Sequence, residues 1–370
     1  MKKSSIAYVC VSESWGGLEM NQLRNAKWMQ ERGHTVSLYV LKNSPIHSEA
    51  TLDQLDVFLV EKHKKYYPLK HAIRLAQLFK QQQVTHVIVR DPKDLSLVGL
   101  TKTLLYNKLH FSYFMEMQLG IAKRDLLHTV RFSKINCWSC PLPWLAQQVK
   151  DRTRIPHNKI TVIPSGLDLT PFDELPKQQE ARTTLDLPED KIIIGLIGRF
   201  DPQKGQDLLV SAFSKLDVLI KEQAVILFLG EKTKNEADDY FENLQLQISK
   251  SGLDKYIFFQ PFRKDVTLFY AAIDWLVMAS KSETFGMVTI EALAAGKSII
   301  GSNAGGTPEI LEQGKYGYLF ESMNAQDLSS ALEKAIKHKI FDSDKQRLAA
   351  SKYNNEKVCE LVETKLGLTQ

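Results

Sequence analysis

The feature that most constrains this chain is a rhythm: short, unbroken apolar runs alternate with longer amphipathic stretches, and the rhythm runs through both halves of the sequence. In the first half, residues 5–11, 35–40, 85–89, 111–115 and 160–163 read as strands, and 18–31, 69–82 and 142–150 as helices. Apolar runs without alternation are what a parallel sheet buried on both faces requires, and the helical stretches supply its crossovers. Residues 165–190, rich in Pro, Asp, Glu and Thr, break the rhythm and read as a linker. The pattern then restarts, with strands over 192–197, 224–229, 256–259, 275–278 and 298–301 and helices near 206–220, 236–251, 287–295 and 325–338. The expectation is an α/β protein of two Rossmann-like doubly wound domains, 1–168 and 169–350, facing each other across a cleft. Residues 351–370 are expected to form a C-terminal helix that returns to the first domain. Ligands of such folds bind beyond the carboxyl ends of the strands.

Composition narrows the function classes. A hydrophobic fraction of 44% with 25% charged residues rules out wholesale disorder. No apolar run approaches the roughly 18 residues needed to cross a bilayer. Lys2 and Lys3 precede the apolar residues 6–11, but that stretch is shorter than a signal-peptide core and no small-residue cleavage site follows, so it reads as the first strand. Four cysteines, at 10, 137, 140 and 359, are too few for a disulfide scaffold and fit a reducing compartment. The expected location is cytoplasmic, with peripheral attachment to the inner face of the plasma membrane. Charge is unevenly spread: residues 1–175 hold 24 Lys+Arg against 15 Asp+Glu, and the remainder 24 against 28. The basic half calls for an anionic partner, whether a phosphorylated glycolipid, anionic lipid headgroups or nucleic acid.

Three clusters stand where strands end. The densest is SKSETFGMVTIEALAAG at 280–296, in which a loop with Glu283, Phe285 and Gly286 leads into a helix opening around Met287 and Val288, with Glu291 in its second turn. Backbone N–H groups at such a helix start, freed from Cβ crowding at Gly286, suit phosphate, and Glu291 suits sugar hydroxyls. The alternative makes Glu283 a solvated loop residue and Glu291 a surface helix residue. The second cluster, GRFDPQKG at 198–205, sets Arg199 and Lys204 between a strand and a helix. Two cations there can neutralise a diphosphate leaving group, unless the loop is basic by chance. The third, SWGGLE at 14–19, places Gly16 and Gly17 where they either let the backbone approach a ligand or make a tight turn.

These clusters, in this order, with IPSGLD at 163–168 and NAGGTPEI at 303–310, resemble glycosyltransferase family 4, retaining enzymes of the GT-B fold that use nucleotide-sugar donors. The resemblance covers nearly the whole chain and is most specific over 195–320. The family's pair of glutamates with seven residues between them is matched by Glu283 and Glu291. The resemblance implies that Arg199 and Lys204 hold the donor diphosphate, Glu291 the ribose hydroxyls and Glu283 the transferred sugar, helped by backbone from Phe285 through Gly286 and Met287 to Val288. Gly16 and Gly17 would approach the donor phosphates, and 259–263, including Phe262, would lie near the base. Residues 1–168 would bind the acceptor and 169–350 the nucleotide sugar. Transfer would proceed with retention by a front-face mechanism in which the leaving phosphate helps deprotonate the acceptor, with no metal and no cofactor. One departure stands out: many relatives carry a histidine close to the reacting sugar where this chain reads FMEMQLG. Gln118 takes that position, so an amide replaces imidazole as the hydrogen-bond donor, with Glu116 nearby.

Other signals are accessory. Cys137 and Cys140 form a CxxC without a second pair and read as packing residues. Asp342, Ser343 and Asp344 form a DxD that reads as a helix cap. In KHKKYYPLKH at 62–71, Lys62, Lys64, Lys65, Tyr66 and Tyr67 form either a surface for anionic lipid headgroups, with the cationic stretch 123–134 contributing, or a solvated loop. The reading that results is a hexosyltransferase moving a hexose or N-acetylhexosamine from a nucleotide diphosphate sugar to a bacterial surface glycan, lipopolysaccharide or glycolipid, with no nucleic-acid partner. Family frequency favours UDP as the nucleotide. Competing readings are a sugar-nucleotide epimerase or hydrolase with the same donor pocket, and a catalytically silent glycolipid-binding module. A dehydrogenase would require a G-x-G-x-x-G after the first strand, which is absent.

Overall fold

The computed structural model describes residues 4–232, 239–338 and 341–368. Lys2, Lys3, residues 236–238 of the expected helix and 369–370 of the C-terminal segment lie outside the described residues. The chain divides into two compact units, one running to Gly166 and resuming at Asn355, the other Leu167–Asn354.

The first unit holds seven strands: β1 Ser5–Cys10, β2 Thr35–Leu41, β3 Asp56–Val60, β4 His86–Val89, β5 His110–Phe114, β6 Cys137–Cys140 and β7 Ile160–Val162. They form one parallel sheet in the order β3-β2-β1-β4-β5-β6-β7. The chain builds outward from β1 and returns to place β4 on its other side, so the strand order reverses between β1 and β4. Ile6, Ala7, Tyr8 and Val9 are fully buried, as a central strand covered on both faces must be. Each large apolar side chain so buried contributes roughly 1.5–3 kcal/mol.

The helix Asn355–Leu366 closes this unit by packing on the helix Gly17–Glu31. Val358, Cys359, Val362 and Leu366 join the core of Ile6 and Tyr8. Glu363 anchors it, accepting from Arg32 Nε at 3.0 Å and Arg32 Nη2 at 2.7 Å, with His34 Nε2 2.9 Å away. Cys137 and Cys140 lie on β6, buried and unlinked, and burial pushes their thiols up to about 11 and about 12. Packing is their role.

The second unit holds β8 Ile192–Ile197, β9 Ala224–Leu229, β10 Ile257–Gln260, β11 Trp275–Met278, β12 Ser298–Ser302 and β13 Tyr318–Phe320. These too are all parallel, in the order β10-β9-β8-β11-β12-β13, with the reversal between β8 and β11. Asp342 caps the helix Ser343–Ala350 by accepting from Asp344 N at 3.0 Å and Lys345 N at 3.4 Å, so the DxD is a cap.

The expectation of a linker over 165–190 is corrected. Leu167 onward belongs to the second unit, and the segment forms the helices Thr170–Asp173 and Gln178–Thr184. Buried Arg182 ties it down, donating to Asp274 Oδ2 at 2.7 Å and to the Ala272 carbonyl at 3.1 Å.

Candidate functional site

In the second unit, the loops after β8 and β11 leave the sheet on either side of its switch point, where a doubly wound sheet opens a ligand crevice. The first carries Arg199 and Lys204, the second Glu283, and Lys204 Nζ donates to Glu283 Oε2 at 3.1 Å. Gly205 brings the loops together: at φ 76°, a Cβ there would stand 2.4 Å from the Ala279 carbonyl oxygen. The loop after β12 grips Glu283 from the other side. Gly306 N–H donates to the Glu283 carbonyl at 2.8 Å, and a Cβ on Gly305, at φ 65°, would lie 2.1 Å from the same oxygen. NAGGTPEI therefore positions Glu283 through backbone alone.

Glu291 lies in the second turn of the helix Met287–Ala294 and accepts from Tyr270 Oη at 2.8 Å. Tyr270 is fully buried, and burial together with the Glu291 charge raises its pKa well above the ordinary phenol value, so it stays a neutral donor. Gly286 caps the helix start without a side chain, leaving its first N–H groups to serve an anion. Phe285 is buried against Tyr353, with ring centroids 5.7 Å apart, so only its backbone can serve a ligand. Met287 and Val288 are half-buried. Arg199 is exposed, 3.8 Å from Asp201 Oδ2, while Gln206 Nε2 holds its carbonyl at 2.8 Å. Phe262 is exposed beyond the end of β10. The arrangement pairs Lys204 with Glu283 near a helix whose second turn carries a Glu291 oriented by Tyr270, with Arg199 exposed on the loop of Lys204, a combination suited to phosphate and sugar hydroxyls together.

Gly16, Gly17 and Gln118 belong to the first unit. The Gly16 N–H donates to Glu19 Oε2 at 3.0 Å, and Ser12 Oγ donates to Glu19 Oε1 at 2.6 Å. Gly16 is the N-cap of the helix Gly17–Glu31. Gly16 has an extended φ of −154°, neither residue has positive φ, and a Cβ on Gly17 would meet nothing within 4 Å. Gln118, half-buried beyond the end of β5, lines a cavity with Lys65, Lys123, His128 and Arg131. Glu116 is otherwise engaged, ion-paired to Arg90 through Oε1 and accepting from Asn21 Nδ2 at 3.1 Å through Oε2. Burial raises its pKa and the Arg90 charge opposes that rise.

Within KHKKYYPLKH, Lys64, Lys65 and Tyr67 are exposed, Tyr66 is half-buried, and Lys62 reaches Glu13 Oε2 at 2.7 Å. Arg131 of the second cationic stretch lies 5.2 Å over the Tyr66 ring, so the structure brings the two stretches together. Among the described residues, no group of three or more His, Cys, Asp or Glu is placed to hold a metal, and no helix is long and apolar enough to cross a membrane. Sequence reasoning missed Tyr270, which sits in no pattern that marks it, and reached Arg131 only as one member of the cationic stretch 123–134. The glycine pair of NAGGTPEI was visible, but its contact with Glu283 was not.

Residues 15–171 match the family model described as Glycosyltransferase Family 4, and residues 177–357 that described as Glycosyl transferases group 1. A D-inositol 3-phosphate glycosyltransferase from Stackebrandtia nassauensis is 30% identical over 200 residues, covering 52% of this chain and 44% of that protein. A lipopolysaccharide 1,2-N-acetylglucosaminetransferase from Salmonella typhimurium is 29% identical over 222 residues, 58% of each chain. The chain thus spans about half the length of these curated relatives. Among solved structures, HepE from Anabaena in complex with UDP superposes with a TM-score of 0.86 at 19% identity, covering 99% of this chain and 100% of that one. A glycosyltransferase from Rickettsia africae gives 0.84 at 20% identity, covering 100% and 99%. Matched over both units by family models and along its whole length by GT-B structures, the chain belongs to glycosyltransferase family 4.

Proposed function

We propose that this protein is a retaining hexosyltransferase that moves a hexose or N-acetylhexosamine from a UDP-sugar to a bacterial surface glycan, lipopolysaccharide or glycolipid acceptor. The observation that carries the donor reading is the Lys204–Glu283 pair at the switch point of the second sheet, beside a side-chain-free helix start and a Glu291 oriented by Tyr270. Two relatives support the substrate classes: HepE has been solved with UDP and with UDP-glucose, and the Salmonella relative is a lipopolysaccharide N-acetylglucosaminetransferase.

Lys204 and Arg199 neutralise the diphosphate, with the Met287 helix start taking a phosphate oxygen. Glu291 accepts from the ribose hydroxyls, and Glu283 from hydroxyls of the transferred sugar. Phe262 lies near the base, and Gly16 and Gly17 bring backbone to the phosphates, the space a Cβ would take being open at Gly17 and bordered at Gly16 by Glu19 Oε2 at 3.6 Å. The bond from the anomeric carbon to the diphosphate oxygen breaks as the acceptor oxygen attacks from the same face. The acceptor proton passes to the departing phosphate oxygen, and the two cations hold the charge that develops there. Gln118 donates an amide hydrogen bond in place of the family histidine. The mechanism calls for no metal and no cofactor, and nucleic acid is not a partner. The protein acts in the cytoplasm, at the inner face of the plasma membrane, through Lys62, Lys64, Lys65, Tyr66 and Tyr67.

The test is thermal stabilisation by UDP, GDP and ADP, each with EDTA and with Mg²⁺. A ligand at a hundred times its dissociation constant stabilises the folded state by about 2.7 kcal/mol. The expected result is a rise in Tm with UDP, unchanged by EDTA and lost in Lys204→Ala. A shift with no nucleotide removes the donor assignment, and a shift only with Mg²⁺ removes the metal-free mechanism.

A further inference from the structure

Arg131 is a buried cation whose contacts are all neutral. It sits on the helix Leu126–Ser133, where Nε donates to Ser96 Oγ at 2.9 Å, Nη2 donates to the Pro92 carbonyl, and the guanidinium lies 5.2 Å over the Tyr66 ring. Only 9% of the residue is exposed. A desolvated guanidinium without a carboxylate is expensive, and an arriving anion would relieve that cost. Burial accordingly pulls its pKa below the ordinary value, even with Asp91 and Asp94 opposing from a distance.

Two cavities meet at this side chain. One, of about 140 Å³, is walled by Gln118, Lys65, Lys123 and His128 as well as Arg131. Asp125 is tied to that wall by its carboxylate, 2.6 Å from His128 Nδ1. Trp138 also lines it, and its buried indole N–H has no hydrogen-bond partner in the structure. An unpaired buried donor is uncommon and points to a missing partner. At this volume the cavity takes a single charged group, since pockets that enclose whole drug-sized ligands run to roughly 300–1,000 Å³. The other cavity is an apolar groove walled by Leu100, Leu127, Val130 and Tyr67. Its Leu127 and Val130 are 42% and 61% exposed on the helix that carries Arg131.

We infer that the Arg131 site binds the anionic group, phosphate or carboxylate, of an amphiphile whose hydrocarbon chain lies in the adjoining groove. The inference rests on reading the first unit as the acceptor side and names the acceptor class: an anionic amphiphile rather than a neutral or free sugar. The cationic cavity selects the charge and the groove selects the chain. Because the two share one side chain, both are needed together.

The experiment uses the full chain and titrates decyl phosphate, decyl maltoside and inorganic phosphate calorimetrically, with both amphiphiles below their micelle concentrations. Decyl phosphate should bind at least tenfold more tightly than either comparison ligand. Lys65→Gln combined with Lys123→Gln, both outside the apolar core, should weaken it at least fivefold. Val130→Asp should bring its affinity down to that of inorganic phosphate. Equal affinity for decyl phosphate and decyl maltoside, no advantage over inorganic phosphate, or indifference to the double lysine change would each overturn the inference. UDP stabilisation measured on the same samples separates the two readings. UDP binding without decyl phosphate binding sinks this inference and leaves the donor site standing. Decyl phosphate binding without any nucleotide effect sustains this site and removes the donor reading.

Discussion

Replacing Gly305 by Ala strikes Glu283 through its backbone, at a distance from any substrate atom. The φ of 65° places an L residue in the left-handed region, which costs about 1–2 kcal/mol. The new Cβ would also stand 2.1 Å from the Glu283 carbonyl oxygen and 2.7 Å from its nitrogen, main-chain atoms that cannot rotate away. Forcing such an overlap costs roughly 1–3 kcal/mol more through displaced backbone. Gly314 supplies the control, because its φ is 98° but a Cβ there meets nothing within 4 Å. Gly314→Ala reports the conformational cost alone, and the difference between the variants reports the contact with Glu283. Gly305→Ala should therefore lose about 3 kcal/mol, and at roughly 2–4 °C per kcal/mol for a unit of this size its Tm should drop by about 6–12 °C. Moving Glu283 also breaks its pairing with Lys204, so UDP affinity, read by titration, should fall at least tenfold in Gly305→Ala and stay at the parent value in Gly314→Ala. Equal losses of stability in the two variants, with UDP binding intact in both, would refute the argument that Gly305 holds Glu283 in place.

Two further outcomes follow from buried charges. Arg182→Met leaves Asp274 with the neutral donors Ile193 N–H at 2.7 Å and Gln178 Nε2 at 3.0 Å in place of a cation, and breaking a buried ion pair typically costs about 3–5 kcal/mol. A urea midpoint lowered by less than the equivalent of about 1 kcal/mol would show that residues 178–184 are not integral to the second unit. His63 bridges Asp94 Oδ1 at 2.8 Å and the Lys64 carbonyl at 2.9 Å; burial opposes its charge, but these acceptors outweigh it and its pKa is raised. A raised folded pKa contributes stability that is fully present below the unfolded value of about 6.5 and is lost as pH rises through the folded value. Denaturant midpoints should therefore decline from pH 6 upward in the parent relative to His63→Gln, and a parent that gains on the variant over that window would contradict the assignment.

The strands that the sequence revealed to the residue, β8, β9 and β11, are unbroken apolar runs at the centre of a sheet, where burial on both faces leaves nothing else to put there. Those it concealed have physical reasons to be faint. β3 is an edge strand with Leu59 44% exposed, β6 is four residues containing a serine and two cysteines, and β13 is three residues long. The misread linker is instructive for the same reason. Its polar surface is that of a short solvent-facing helix, and the buried charge that helps bind it to the domain, Arg182, meets its partner ninety-two positions away. Composition reports what faces water and is silent on a buried charge whose partner is remote.

The same division runs through the site. Strand ends place the loops, so cations and glycines clustered after apolar runs were legible as a candidate ligand-binding face. The aim of each side chain comes from distant partners: Tyr270 for Glu291, Gly305 and Gly306 for Glu283, Gln206 for the Arg199 carbonyl. On the proposal that Gln118 takes the place of the family histidine, its surroundings say what the exchange would do. A histidine sharing a cavity with Lys65, Lys123 and Arg131 would find its protonated form disfavoured by three like charges. It would then donate from one nitrogen only, in a tautomer set by its neighbours. An amide donates and accepts at any pH, without titrating. In a cavity already rich in positive charge, a glutamine therefore offers a hydrogen bond that does not depend on a proton.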